Sequence, residues 1–345
     1  MVSQKLFDAL KEKKADAIIS ESQQTRKWYT GISTSDGWLI IESNKEATLF
    51  VDGRYIEYAK NNAKNVKVNL LKKDSLQKWL IDKKFKKIAI EGDYLTIEKK
   101  DFLKKILQET KTSITTINAQ KFRIIKSNEE VNYIQKAIDI SLESFEILKS
   151  YLKEGITEKE LQHKLEYIMV RKGAEKEAFD SIVAFNDSTA EPHHHSSDKR
   201  LKKGDMVTID FGAKYNGYCA DITRTFIYED QGNAKYKEIL DIVEEAARLG
   251  REAVKPGVKA SEIDSICRSY IKSKGYGDFF VHSTGHGLGI DVHEFPYVST
   301  TSDITLEPGM IITVEPGIYI EGTGGARIED DVLVTPTGNK VLSRK

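Results

Sequence analysis

The sequence has little cysteine, no net charge, few prolines and no long apolar run. Cys219 and Cys267 are the only cysteines in 345 residues, which excludes a disulfide framework and a cysteine-rich zinc site and fits a reducing compartment. Each thiol reads as a small packing residue. Lysine plus arginine and aspartate plus glutamate number 53 each, so no bulk field recruits nucleic acid or anionic lipid. No apolar run approaches the ~20 residues of a membrane span, and the opening MVSQKLFDALKEKKADAIIS carries no signal-peptide core. The expectation is a soluble cytoplasmic protein with no nucleic-acid or membrane partner. Proline is absent before Pro192, and six of the seven histidines fall between His193 and His293. The chemistry is therefore expected in the second half.

The length fits two domains. In the first part, a helix with Leu6, Phe7 and Leu10 on one face precedes a strand at 17–19, then strands at 38–41 and 47–51 about a turn at 42–45. Apolar segments at 66–70 and 88–90 and a helix near 97–108 complete a small α/β domain. It has no Gly-rich phosphate loop, and the Asp52-Gly53-Arg54 turn is no substitute for one. A boundary falls near 122–126, giving domains 1–124 and 125–345. Ser127 with Glu130, and Thr157 with Glu160, have the spacing of capping boxes that open new helices.

The second domain repeats itself. LKEGITEKEL (152–161) matches VKPGVKASEI (254–263), with Lys172-Gly173 and Lys274-Gly275 following at the same distance. Downstream, VTIDFG (207–212) matches ITVEPG (312–317), which sets Asp210 against Glu315. A duplicated α+β unit with a pseudo-twofold axis follows, and the two carboxylates at equivalent strand ends repel unless a cation joins them.

Asp221 lies in YCADITRT, His286 in HSTGHGLG and Glu329 in RIEDDVLV. With Asp210 and Glu315 they supply four carboxylates and one imidazole, a donor set suited to two divalent ions about 3.5–4 Å apart. Oxygen-rich ligation leans toward Mn²⁺, with Co²⁺, Zn²⁺ or Fe²⁺ as alternatives. The plainer readings are ion pairs on exposed strands, Asp221 with Arg224 and Glu329 with Arg327, and ordinary turns at Glu315-Pro316-Gly317 and Gly285-His286-Gly287. In AEPHHHSSD the three adjacent histidines cannot all point into one site. His193, His282 and His293 are the imidazoles available to a substrate carbonyl or a developing oxyanion.

SDKRLKKGDMVTIDFGAKYNGYCADITRT, HSTGHGLGIDVHE, VEPGIY and GGARIEDDVLVT, in this order and spacing, resemble the Xaa-Pro peptidases of the pita-bread metallopeptidase fold, which include aminopeptidase P and prolidase. YTGISTSDG and VDGRYIEYA resemble their amino-terminal domain. The resemblance implies a pseudo-twofold pita-bread catalytic domain behind the small α/β domain. It implies that Asp210 binds one metal, that His286 and Glu315 bind the other, and that Asp221 and Glu329 bridge them. His193, His282 and His293 would contact substrate, with Arg327 supporting the site. The chain departs from the family's common Pro-His-Gly at Pro192-His193-His194, losing a permissive glycine, and Ala326 stands where a larger aliphatic residue is usual.

The function so implied is hydrolysis of the bond between an amino-terminal residue and a following proline, by a hydroxide held between the two metals. Glu315 would shuttle the proton, and His293 and His193 would stabilise the oxyanion. The sequence shows no carboxylate clamp of the kind a dipeptidase needs, and DGRY and STGHGLG look closer to aminopeptidase P. Prolidase is the alternative, and a non-catalytic binding module on the same fold a further one. The resemblance of the first domain to the family's amino-terminal domain implies a homodimer.

Overall fold

The computed structural model describes residues 4–344, and its internal contacts divide the chain between Arg123 and Ile124. The first unit is built on a six-stranded sheet, in the order Lys67–Leu70, Ala47–Val51, Trp38–Glu42, Ala17–Ser20, Lys87–Glu91 and Ser113–Ile117. Ala17–Ser20 runs antiparallel to Trp38–Glu42 and parallel to Lys87–Glu91. These central strands are apolar on both faces because both faces are covered. Ile18, Leu39 and Ile41 pack with Leu6, Leu10 and Tyr29 on one side. Ile19, Ile40 and Ile90 pack with Leu76, Leu80 and Leu103 on the other, as the two-residue period of a strand requires. The helix expected near 97–108 spans Ile97–Ile106. Helices Gln23–Thr30, Ile56–Asn62 and Ser75–Lys83, too short for a clear periodic signal, were not anticipated.

In the second unit, helices Asn128–Leu148 and Glu158–Arg171 each open on a reciprocal capping box, Ser127 with Glu130 and Thr157 with Glu160. The repeat is a repeat of structure. Helices Glu158–Arg171 and Ala260–Ser273 have 14 residues each. The turns before them place Gly155 and Gly257 at φ 87° and 86°, a left-handed conformation that glycine adopts without steric cost. Gly155 N–H and Leu201 N–H donate to Leu201 O and Ile156 O, and Gly257 N–H and Leu306 N–H donate to Leu306 O and Val258 O in the same pattern.

Each half then supplies a central strand, Met206–Phe211 or Ile311–Val314, paired antiparallel on both sides. Val207 pairs with Phe185, and Ile312 pairs with Gly287. By this correspondence His286 occupies the place that Ala184 takes in the other half. The two halves share a scaffold, but only one carries the imidazole.

Candidate metal centre

Asp210 is the penultimate residue of strand Met206–Phe211, and Glu315 follows directly after strand Ile311–Val314. His286 is the middle residue of strand Gly285–Gly287, and Glu329 directly precedes strand Asp330–Thr335. Asp221 lies in the break between Tyr218–Cys219 and Ile222–Ile227, where its N–H donates to Asp331 Oδ2 at 3.3 Å. The five converge. Ligand atoms of Asp210, Asp221 and Glu329 lie within 4.8 Å of one another, as do those of His286, Glu315 and Glu329, and those of Asp221, His286 and His293. His286 Nε2 is 3.3 Å from Glu315 Oε1 and 3.5 Å from Asp221 Oδ2.

Local chemistry explains how His286 arrives there. A Cβ at position 285 would lie 2.1 Å from Thr313 O, and one at 287 would lie 2.2 Å from Phe295 O. Only glycine lets the neighbouring strands close this tightly about the histidine. His286 N–H donates to Thr313 Oγ1 at 3.1 Å, and that hydroxyl donates to Glu315 Oε1 at 3.3 Å. His286 Nδ1 donates to Gly287 O at 3.1 Å, which directs Nε2 at the carboxylates.

The electrostatics show what the protein alone cannot balance. Burial, then repulsion by Glu329, Asp210 and Glu315, pushes the Asp221 carboxyl well above its usual range. Burial with repulsion by Glu315 and Asp210 does the same to Glu329. Burial also raises Asp210, against the pull of Arg327. Glu315 goes the other way: burial opposes its charge, but the hydrogen bond and charge of His286, with His282 and Arg327, hold it down at about 2. In turn Glu315 outweighs burial at His286 and raises it.

Arg327 is the buried cation of the site, and its partner is Asp210. Its Nη2 is 2.6 Å from Asp210 Oδ2, Nε donates to Thr223 Oγ1 at 3.0 Å, and Nη1 donates to Tyr319 OH at 2.8 Å and Pro192 O at 3.2 Å. Thr223 Oγ1 donates to Glu329 Oε2 at 2.7 Å. The plainer pairings read from the sequence are not the ones formed. Arg224 pairs with Asp330, at 3.0 Å, and Arg327 with Asp210, because the strands carry each guanidinium across to a partner more than a hundred positions away. Thr223 and Tyr319 were missed. Asp221 and Glu315 stand just outside strands Ile222–Ile227 and Gly317–Ile320, so no two-residue period linked Thr223 or Tyr319 to them in the sequence.

The histidines divide into three situations. His293 lies against His286, ring centroids 4.3 Å apart, and burial followed by the charge of His286 lowers its pKa. His282 donates from Nδ1 to Ser283 O at 2.7 Å, so its Nε2 accepts from Tyr319 OH at 2.8 Å. Burial, with the charges of Arg327 and His193, lowers its pKa and keeps that neutral tautomer. Tyr319 itself is pushed up to about 12, by burial first and then by Glu315 and Asp210. His193 is exposed and lines a cleft of about 550 Å³. That cleft also holds all five carboxylate and imidazole candidates, His282, His293 and Arg327.

This donor set fits a pair of divalent cations. Asp210 Oδ1 is buried with no hydrogen-bond partner among the described residues, a costly state for a carboxylate oxygen unless a cation meets it. Four acids surround one imidazole and one guanidinium, and bound cations reverse the charge balance that lifts Asp221 and Glu329.

Two sequence patterns match the chain, metallopeptidase family M24 over residues 132–336 and the creatinase/prolidase N-terminal domain over residues 3–125. The Xaa-Pro dipeptidase of Pyrococcus furiosus is 40% identical, over 99% of this chain and 97% of its own. Among solved structures, an Xaa-Pro dipeptidase from Bacillus anthracis superposes with TM-score 0.94 at 37% identity, covering 99% of this chain and 96% of its own. The X-Pro aminopeptidase of Thermotoga maritima gives TM-score 0.89 at 35% identity, covering 96% of each chain. With its duplicated pita-bread unit behind a creatinase/prolidase-type domain, the chain belongs to metallopeptidase family M24.

Proposed function

We propose that the protein is a metal-dependent Xaa-Pro aminopeptidase that releases the amino-terminal residue from peptides with proline second. The observation that carries this reading is the convergence of three overlapping ligand trios on one cleft. Asp210, Asp221, His286, Glu315 and Glu329 would hold the two cations, Asp210 on the side of one, His286 and Glu315 on the side of the other, with Asp221 and Glu329 between them. The oxygen-rich donors favour Mn²⁺ over softer-ligand metals. Two divalent cations, when bound, supply the positive charge that lowers the pKa of an attacking water and polarises the scissile carbonyl.

The chain's own groups do the rest. Glu315 is held ionised and has Oε1 engaged by Thr313 and His286, so Oε2 takes the proton of the attacking water and returns it to the proline nitrogen. His293, kept neutral, and His193 donate to the developing oxyanion, while His282 lines the cleft beside Tyr319. Arg327 fixes Asp210, Thr223 and Tyr319 in one network.

The relatives carry both activities in their names, which keeps Xaa-Pro dipeptidase as the second reading. Among the described residues lining the cleft, Arg327 is the one lysine or arginine, and Asp210 occupies it. A dipeptidase needs a cation for the proline carboxylate, so this lining favours the longer substrate. A homodimer in the cytoplasm completes the proposal. Exposed Tyr58, Tyr94, Ile97 and Phe102 on the first unit offer apolar surface for the contact, and both cysteines are free buried thiols.

The test is to strip the protein with chelator, restore Mn²⁺ and follow Xaa-Pro and Xaa-Pro-Yaa peptides by chromatography. Release of the first residue from the tripeptide, lost in Asp221→Asn, is expected. Cleavage of the dipeptide alone moves the assignment to prolidase, and no metal-dependent cleavage of either refutes both.

A further inference from the structure

Loop 191–197 carries an arrangement that the reaction leaves unused. His194 sits between two carboxylates, with Nδ1 at 2.8 Å from Glu191 Oε2 and Nε2 at 2.9 Å from Glu158 Oε2. Glu158 opens helix Glu158–Arg171, and its side chain is fully shielded from solvent. Its Oε1 accepts from Phe185 N–H at 2.8 Å, and its Oε2 from Ser197 N–H at 2.8 Å and Ser197 O–H at 2.6 Å. With three donors already on its two oxygens, Glu158 meets the ring as an acceptor. Glu191 is exposed and presents Oε2 to the other ring nitrogen as a second acceptor. Both ring nitrogens of His194 must therefore donate, which only the imidazolium can do.

The surroundings agree. Burial works against the charge, but the bonds to Glu191 and Glu158 outweigh it and raise the pKa above the ordinary histidine value. The other acid facing the ring is Asp187, from the turn Asn186–Ala190, and Lys199 pairs with it. On the helix, Lys159 turns away to Asp198, 3.4 Å from its Nζ. His193 and His195 flank the ring on the loop itself. Position 194 is not among those with positive φ, so its backbone requires no glycine.

What this clamp secures is the stretch that bears His193. On one side Pro192 O accepts from Arg327 Nη1, and on the other Ser196 Oγ accepts from Val183 N–H at 3.0 Å. We propose that His194 is a positioning residue: its imidazolium bolts loop 191–197 to helix Glu158–Arg171 and fixes His193 in the peptide cleft, and loss of its proton loosens that placement. The neutral ring has one N–H for two carboxylates. Glu158 keeps it, being buried, and the exposed Glu191 lets go. The inference rests on the assignment of His193 to the substrate.

Two measurements test it. In the metal-free protein, imidazole NMR signals are followed against pH, with His194 assigned by its loss in His194→Gln or its shift in Glu191→Gln. The ring should titrate above ~6.5, the free histidine value, and Glu191→Gln should lower the midpoint. With Mn²⁺ restored, kcat/KM for an Xaa-Pro-Yaa peptide should fall roughly tenfold through the same pH range, because His193 meets the developing oxyanion as well as the bound peptide. In His194→Gln, kcat/KM should be low at every pH. A ring that titrates at or below ~6.5, or an identical kcat/KM profile in His194→Gln, overturns the proposal. Should His194→Gln fail to fold, Glu191→Gln decides, since an unmoved midpoint also overturns it. If no peptide is cleaved, the peptidase reading fails, and the NMR titration still decides the clamp.

Discussion

Thr223 offers a quantitative test of the network around the carboxylates. Its hydroxyl is fully buried, accepts from Arg327 Nε at 3.0 Å and donates to Glu329 Oε2 at 2.7 Å. Thr223→Val keeps the shape and removes both bonds. The contact with the guanidinium is worth about 1.5–3 kcal/mol and the one to the Glu329 carboxyl, whose charge burial opposes, about 1 kcal/mol. The added methyl returns no more than ~0.8 kcal/mol of burial. The net loss is about 2–3 kcal/mol, or roughly 4–12 °C in melting temperature for a unit of this size. Calorimetry in EDTA measures it, with Thr223→Ser as the control that keeps the hydroxyl. Because Glu329 also loses the group that orients it, Mn²⁺ affinity should fall about 10–100-fold. If Thr223→Val melts with Thr223→Ser and binds Mn²⁺ as tightly as the natural protein, the network does not hold Glu329.

Three further outcomes follow from the same geometry. In EDTA the folded protein keeps protons on Asp221 and Glu329 that the unfolded chain releases above about pH 4. The contribution of these two groups is full below that pH and is lost as pH rises toward their raised folded values, so the melting temperature should drop as pH climbs from about 5, and less steeply in Asp221→Asn; a flat or rising profile contradicts this. Gly212→Ala places a Cβ at 1.8 Å from Ala220 O, between the segments that carry Asp210 and Asp221. Urea titration should show a loss of about 3 kcal/mol or more, with Mn²⁺ binding abolished. Lys126 and Glu294 form a buried pair at 3.2 Å, and Glu294 also accepts from Ile290 N–H and Asp291 N–H in the loop before His293. Lys126→Met removes the buried cation from that carboxylate and should cost about 3–5 kcal/mol in the same titration.

The capping boxes at Ser127 and Thr157, and the repeat that sets Asp210 against Glu315, were legible because they are local patterns or copies of one. The five converging side chains could be read for the same reason: each sits in a short motif of its own. Partners across strands could not be read. Nothing near Arg327 in the chain points to Asp210, and nothing near Arg224 points to Asp330, because a strand's period fixes a face and leaves the neighbour open. Asp221 was read as a strand residue and lies in a break, where its backbone meets Asp331. The role of His194 was hidden too, since Glu158 lies on the preceding helix and only the folded loop brings them together.

The most direct test of the central claim is a count of cations. Metal-free protein dialysed against Mn²⁺ and analysed for the element should hold two ions per chain, and Asp221→Asn should hold fewer and cleave no Xaa-Pro-Yaa peptide. One ion or none in the natural protein, or two retained in Asp221→Asn, would contradict a centre built from these five side chains.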